Sequence, residues 1–437
     1  MDFHIEYTDK EVTPWAGILM LKKMLDRIGF DDCLKDLPMP VSGSNRGYPS
    51  DQLVKQFITS VWCGANRFEH TEVTRQDEVI RQFWGFERMA GHKSFQRFFN
   101  KFDLSTNQKV FTQLYQWFFK NLLFNNFTLD IDSTVHVRYG NQQGAKKGYN
   151  PKKPGRLSHH PLMAFVADCK MVANFWLRSG DAYTSNNFEA FLEDTFEKLA
   201  EKKIGLLRAD SGFYDKKVLH YLEHKQINYI IAVRLYAPIQ QIIASHKAWM
   251  VVSSGVEIAE TYYQSPLWNE PRRVVMIRQH IPTRPKATGK SLKLFEQEGI
   301  YKNYRYSCFV TNLDLPAQLV WQSYRQRADA ENRIKELKYD FGSDSFNMQS
   351  FYGTEAALNF VMLAYNFVSL FRQVILKQHK VHEQMKTLRY NVFAIGGYIV
   401  KSGSQRILKL SLAMKRREWF TGLWMNTNSF SAPAAFY

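Results

Sequence analysis

Over roughly the first 125 residues the apolar positions recur with a helical period, and at Phe127 that period gives way to alternation. In FTLDIDSTVHVR, Phe127, Leu129 and Ile131 fall on one face and Thr128, Asp130, Asp132 and Thr134 on the other, which is a strand signature. A chain with this change of period is confined to a mixed architecture, helices first and a sheet after them. The polar face adds a second constraint. Aspartate is depleted in strands, yet Asp130 and Asp132 stand two residues apart, about 7 Å along one strand face. Either one alone reads as a hydrogen-bonded edge or turn-side residue; the pair beside Thr134 points to a shared task.

A basic loop rich in glycine and proline, YGNQQGAKKGYNPKKPGRLSHH, follows, and then two apolar runs, LMAFVADC and MVANFWLR, that read as a hairpin. A helix around 186–202, a buried strand GLLRAD, a helix from about 214 to 225 and the strand INYIIAVR complete the order βββαβαβ. Residues 236–300 are looser and read as an inserted, mostly β segment. The strand YRYSCFVTNL leads into a helix with the sequence YRQRADAENRIKELK, and 352–378 and 383–420 read as helical. Near the start, Ser50 is placed to cap a helix carrying Leu53, Phe57, Val61 and Trp62, and Ser105 with Gln108 makes a capping-box pattern. The segments DEVIRQFWGF and KSFQRFFNKF interleave basic and aromatic residues, as a small helical DNA-binding region or an ordinary bundle would.

Lys and Arg outnumber Asp and Glu by 58 to 41, a formal charge of +17, which favours a polyanionic partner such as nucleic acid. Cys33, Cys63, Cys169 and Cys308 are scattered and form no CxxC pair, so neither a zinc knuckle nor a disulfide framework is indicated and reduced core residues are expected. The most apolar run, AALNFVMLAYNFVSLF, is interrupted by Asn359 and Asn366 and ends beside Arg372, and the first residues lack a signal-peptide pattern. The expectation is a soluble cytoplasmic protein with no membrane partner.

Two further carboxylates stand out. Asp210 ends the strand GLLRAD and precedes Ser211 and Gly212, a position that suits an N-cap and also the strand end where α/β sheets place catalytic groups. Glu331 shares a helix with Tyr324, Arg327 and Lys338, and at about 100° per residue all four fall in one narrow stripe. That stripe reads either as a solvated face with Arg327–Glu331 and Glu331–Lys335 ion pairs or as phosphate chemistry. One acid on the first strand, one at the end of the fourth and one on a helix after the fifth is the layout of an RNase H-like nuclease core. Three such acids suffice to hold hard Mg²⁺ ions, so no histidine base is required; His136, His159 and His160 are expected to be structural or DNA-facing.

Tyr324, Arg327, Glu331 and Lys338 match a Y-x2-R-x3-E-x6-K signature at every spaced position, and the chain thereby resembles the bacterial insertion-sequence transposases with a DDE catalytic triad. Asp132, in DST, resembles the family's first aspartate and Asp210, in RADSGFY, its second; Asp130 is a departure that leaves a second candidate for the first ligand. The resemblance implies cut-and-paste DNA transposition through a DNA hairpin, with Asp132, Asp210 and Glu331 catalytic and holding two Mg²⁺ ions, Mn²⁺ substituting. It also implies double-stranded DNA partners, the element's terminal inverted repeats and the target, a homodimer in the synaptic complex, and a bacterial, nucleoid-associated location. Tyr324, Arg327, Lys338, Lys335 and Arg333 would contact DNA, with Lys146, Lys147, Lys152, Lys153 and Arg156 of the basic loop. Trp268 and Trp249 lie where the family stacks an aromatic on a flipped base.

The expected fold class is α/β, an RNase H-like core interrupted by a mostly β insertion and flanked by helical regions. Its divisions are 1–125, helical and DNA-binding; 126–235, the first part of the core; 236–300, the insertion; 301–380, the second part of the core; and 381–437, a helical C-terminal region. A nuclease without strand transfer and an inactive relative that only recognises DNA are the rival readings.

Overall fold

The computed structural model describes residues 3–44, 46–266, 268–282, 303–377 and 382–436. The chain opens with helices α1 (Ile18–Arg27), α2 (Phe30–Asp36), α3 (Ser50–Trp62), α4 (Glu72–Arg75), α5 (Glu78–Trp84), α6 (His92–Phe99) and α7 (Leu104–Lys120). Strands β1 (Leu122–Leu123), β2 (Phe127–Ser133), β3 (His136–Val137), β4 (Lys146–Lys147), β5 (Leu157–His159), β6 (Leu162–Val166) and β7 (Met171–Trp176) come next. Then α8 (Phe188–Leu199), β8 (Ile204–Ala209), α9 (Lys216–His224), β9 (Tyr229–Ala232), α10 (Ala237–Ser245), β10 (Met250–Ser253), β11 (Val256–Tyr263), β12 (Arg272–His280) and β13 (Tyr304–Thr311) build the rest of the main sheet and its helices. The chain continues through α11 (Ala317–Arg325), α12 (Ala328–Asp340), α13 (Phe351–Phe371), α14 (Met385–Leu388), β14 (Gly396–Ser402), β15 (Gln405–Ser411), α15 (Met414–Ser429) and β16 (Ala434–Ala435).

The main sheet has nine strands in the order β10-β11-β12-β13-β9-β8-β2-β6-β7. Its centre is parallel, β2 against β8 and β8 against β9, and both flanks are antiparallel. The order βββαβαβ is therefore present as β2, β6, β7, α8, β8, α9 and β9. The segment expected as an insertion does not stand apart from this sheet: β10, β11 and β12 extend it beyond β13. The RPKATGKSLKLFEQEG part of that segment lies outside the described residues.

Helix α13 is the centre of the molecule. It is long and apolar enough to cross a membrane by composition, and 89% of its most apolar stretch is buried among other parts of this chain, as a core helix requires. Phe360 of α13 meets Phe99, Phe102 and Phe111, while Phe57 of α3 meets Phe68, Phe95, Phe99 and Phe346. The aromatics of KSFQRFFNKF thus face the core and not a partner. One apolar cluster runs from α1 through α7, the main sheet and α13.

Three local expectations are corrected. Ser50 begins α3 but does not cap it; its hydroxyl donates to Pro40 O at 2.5 Å. The cap of α7 is Asp103, whose carboxylate accepts from Thr106 N at 2.8 Å, so the capping box at Ser105 and Gln108 does not form. The C-terminal region is not uniformly helical: β14 and β15 pair as a hairpin because Gly396 and Gly397 end the helical period and Gly403, at φ +60°, supplies the turn.

Candidate active site

Asp132 and Asp210 meet through strand register. In the parallel pairing of β2 with β8, Asp130 lies opposite Arg208 and Ile131 opposite Ala209, so the next residues, Asp132 and Asp210, emerge side by side at the strand ends. Asp132 Oδ1 accepts from Ser133 N at 2.8 Å, and its Oδ2 lies 3.1 Å from the Arg327 guanidinium. Burial pushes the Asp132 carboxyl up to about 6; Arg327 pulls it down, and the negative charges of Asp210 and Glu331 raise it. Those last effects place the three acids in one electrostatic neighbourhood. Among the described residues, however, no three acid, histidine or cysteine side chains converge closely enough as placed to hold an ion.

Asp210 Oδ1 accepts from Gly212 N at 2.9 Å and caps a short turn, Ser211–Phe213, directly after the end of β8. Gly212 is required by space, since a Cβ there would meet Thr184 Cγ2 at 2.8 Å and Asp210 Oδ1 at 3.0 Å. Glu331 is exposed on α12 and has no hydrogen-bond or ion-pair partner among the described residues. The donor set is three carboxylates with hard oxygens, one of them unengaged, which suits Mg²⁺ chemically.

The expected single helical stripe is broken. Helix α11 ends at Arg325, and α12 starts at Ala328 after a tight turn in which Arg327 N and Ala330 N bond three residues back. Tyr324 therefore stands on α11, packed on Phe309 with ring centroids 4.3 Å apart, and burial pushes its phenol up to about 12. Arg327 is withdrawn from the surface, 5% exposed, donating to Ile131 O at 3.1 Å as well as facing Asp132. The expected Arg327–Glu331 pair gives way to Arg327–Asp132. Lys338 donates to Val135 O at 3.0 Å and lies within electrostatic reach of Asp132 and Lys152.

Other expected contacts separate by position. Arg333 points away from Glu331, about 200° around the helix, and is buried against Asp329 and the carbonyl of Ala167, so it offers nothing to DNA in this arrangement; Lys335 is exposed. Lys147, Lys152, Lys153 and Arg156 are exposed, and Lys146 pairs with Asp181 at 3.1 Å. Lys153 and Arg156 lie 5.0 and 5.8 Å from the centroid of the exposed Tyr139 ring. Trp268 is buried against Tyr214 and Tyr263 beneath Arg272, and Trp249 is half-buried under Arg278, donating to His246 O at 3.0 Å; neither ring is free to stack on a base as placed.

Asp130 is set apart from Asp132 by its neighbour. Both Asp130 oxygens accept from Arg208, at 2.6 and 2.9 Å, and the pair is buried, so neither oxygen is directed at an ion. Sequence reasoning missed Arg208, although RAD repeats the spacing of DID: Arg208 follows Asp130, and Asp210 follows Asp132, by the same 78 residues. It also missed that His160 steadies Ser133 beside Asp132, through a 3.1 Å contact with its hydroxyl and a 2.9 Å contact with Ala182 O. His159 is likewise structural, taking a hydrogen bond from Arg138 at 3.0 Å, and His136 is buried.

The mixed sheet carries acids at adjacent parallel strand ends and a further acid on a following helix, and the class of the protein, a nucleic-acid phosphoryl-transfer enzyme, follows from its family. The chain matches the family described as transposase DDE domain group 1 over residues 3–429 and belongs to that family. No curated protein matches it. Among solved structures the chain is similar to the cryo-EM structure of a piggyBac transposase synaptic complex with hairpin DNA, 12% identical over 88% of this chain and 81% of that one, with a TM-score of 0.48.

Proposed function

We propose that this chain is a cut-and-paste transposase of the bacterial insertion-sequence type, with Asp132, Asp210 and Glu331 as its triad on an RNase H-like core, acting as a homodimer on paired element ends through a DNA hairpin. The observation that carries the reading is the adjacency of Asp132 and Asp210 at the ends of β2 and β8 with Glu331 in electrostatic reach. Bound Mg²⁺ would neutralise the reacting phosphate and activate the attacking hydroxyl. Arg327 and Ser133 orient Asp132, and Lys338 and the basic loop hold DNA phosphates near the acids. Glu331, exposed and unpaired, is the ligand that moves to complete the set.

The test is a denaturing-gel assay of the full chain with Mg²⁺ on duplex DNA bearing the element's terminus. Glu331→Gln is expected to abolish nicking and hairpin formation, a loss of at least about 100-fold, while DNA affinity stays within about twofold, because one metal ligand goes and the cationic surface remains. Full cleavage by that variant would remove Glu331 from the triad. Sequence-independent degradation by the wild type would point to a nuclease instead.

A further inference from the structure

The β14–β15 hairpin is held at its base and free at its tip. Thr13 and Gly397 exchange hydrogen bonds of 2.8 and 2.9 Å, and a Cβ on Gly397 would meet Ala16 at 2.7 Å. At the other end nothing lies within 4 Å of a Cβ on Gly403, and residues 401–407 are all exposed. The tip is small and polar, Ser402, Gly403, Ser404 and Gln405, and is flanked by Lys401 and Arg406. These two cations are direct cross-strand partners, a like-charge placement that destabilises a bare hairpin. No acid offsets them in sequence, for none occurs between Glu383 and Glu418. Among the described residues the side chains of Lys401, Arg406 and Lys409 have no ion-pair or hydrogen-bond partner. The frustration continues into α15, whose first turn carries Lys415, Arg416 and Arg417 and no acid, although the helix dipole there favours negative charge.

The like-charge pair on this projecting, basic ribbon and the acid-free first turn of α15 that follows it are relieved together by an extended polyanion. We propose that the β14–β15 hairpin is a DNA-binding ribbon that sets Lys401 and Arg406 on the phosphates of duplex DNA, built from elements other than those that carry the acids and the basic loop. A two-stranded ribbon matches the width of the major groove, about 12 Å. The proposal rests on the transposase reading only in that its partner is DNA; the triad plays no part in it.

The experiment is fluorescence anisotropy of the full chain with a mixed-sequence duplex, without divalent ions, across a salt series, beside thermal melting of the free protein. In the double variant Lys401→Ala/Arg406→Ala the slope of log affinity against log salt should shrink by about 1.8, two phosphate contacts at about 0.9 each. In Lys401→Glu the new acid faces Arg406, so DNA affinity should fall while the free protein melts no lower than the wild type. An unchanged slope and affinity in both variants would overturn the proposal, as would a parallel loss of melting temperature and affinity in Lys401→Glu. So would a double variant that binds DNA with the wild-type slope and affinity but loses binding to vesicles containing an anionic phospholipid. Wild-type protein that fails to bind the duplex would overturn this proposal and the transposase reading together, whereas active Glu331→Gln would overturn only the triad.

Discussion

Arg208 and Asp130 form a two-pronged ion pair in a region closed to water, and Arg208 also donates to Ser323 O. The pair ties β2 and β8 to the end of α11, so it sets the strand ends from which Asp132 and Asp210 emerge. Replacing Arg208 by Met leaves a buried carboxylate without its counter-charge, and chemical denaturation should show a loss of about 3–5 kcal/mol, much of it restored by adding Asp130→Leu. A second buried acid works differently. Glu355 accepts from Leu177 N and Asn107 Nδ2, each at 2.9 Å, yet burial outweighs these bonds and pushes its carboxyl up to about 7. The native state therefore holds a proton that the unfolded chain releases at lower pH. Stability should fall as pH rises from about 4.5 to about 7, by up to about 3 kcal/mol, and level off above that with respect to this group. Denaturation midpoints across that range should flatten in Glu355→Gln; an unaltered profile would place the titration elsewhere.

At the scale of elements, the outer edge of β7 shows how a helix closes a sheet. Asn366 of α13 accepts from Val172 N and donates to Val172 O, both at 2.8 Å, where the pairing of β6 with β7 shifts register. The asparagine that interrupts the apolar run is thus a backbone partner for an edge strand. Asn366→Leu keeps the volume and orphans two buried groups, at a cost of roughly 2–6 kcal/mol readable by urea denaturation. Strand and helix types along 162–234 were legible because period and turn signals agreed there, whereas the segment read as a basic loop carries the short strands β4 and β5, which form a small sheet with β3. The C-terminal hairpin was not, since ILKLSLAMK suits a helix as well as a strand and only its pairing with β14 decides. The break between α11 and α12 left no glycine or proline to announce it; the pull of Arg327 into the sheet, toward Ile131 O and Asp132, accompanies it.

For the whole molecule, the N-terminal helices and the sheet share one apolar core through α13. Removing 1–125 would uncover the Phe360 side of that helix, so the full chain should melt in one calorimetric transition and residues 126–437 alone should show none. A cooperative transition in that fragment would establish the N-terminal region as an independent domain. The sequence by itself determined the helical start, the strand alternation at Phe127, the three acids, the Tyr-Arg-Glu-Lys spacing and the positive charge, because each is written in local period, spacing or composition. Only the tertiary structure decided which aspartate faces Arg208 and which faces Asp210, that Arg327 and Arg333 turn inward, that Trp268 is core, and that the C-terminal cations ride on a free hairpin. Those outcomes depend on which distant residue fills the space beside each side chain, and pairing across 78 residues or more is set by strand register and burial, which local patterns do not encode.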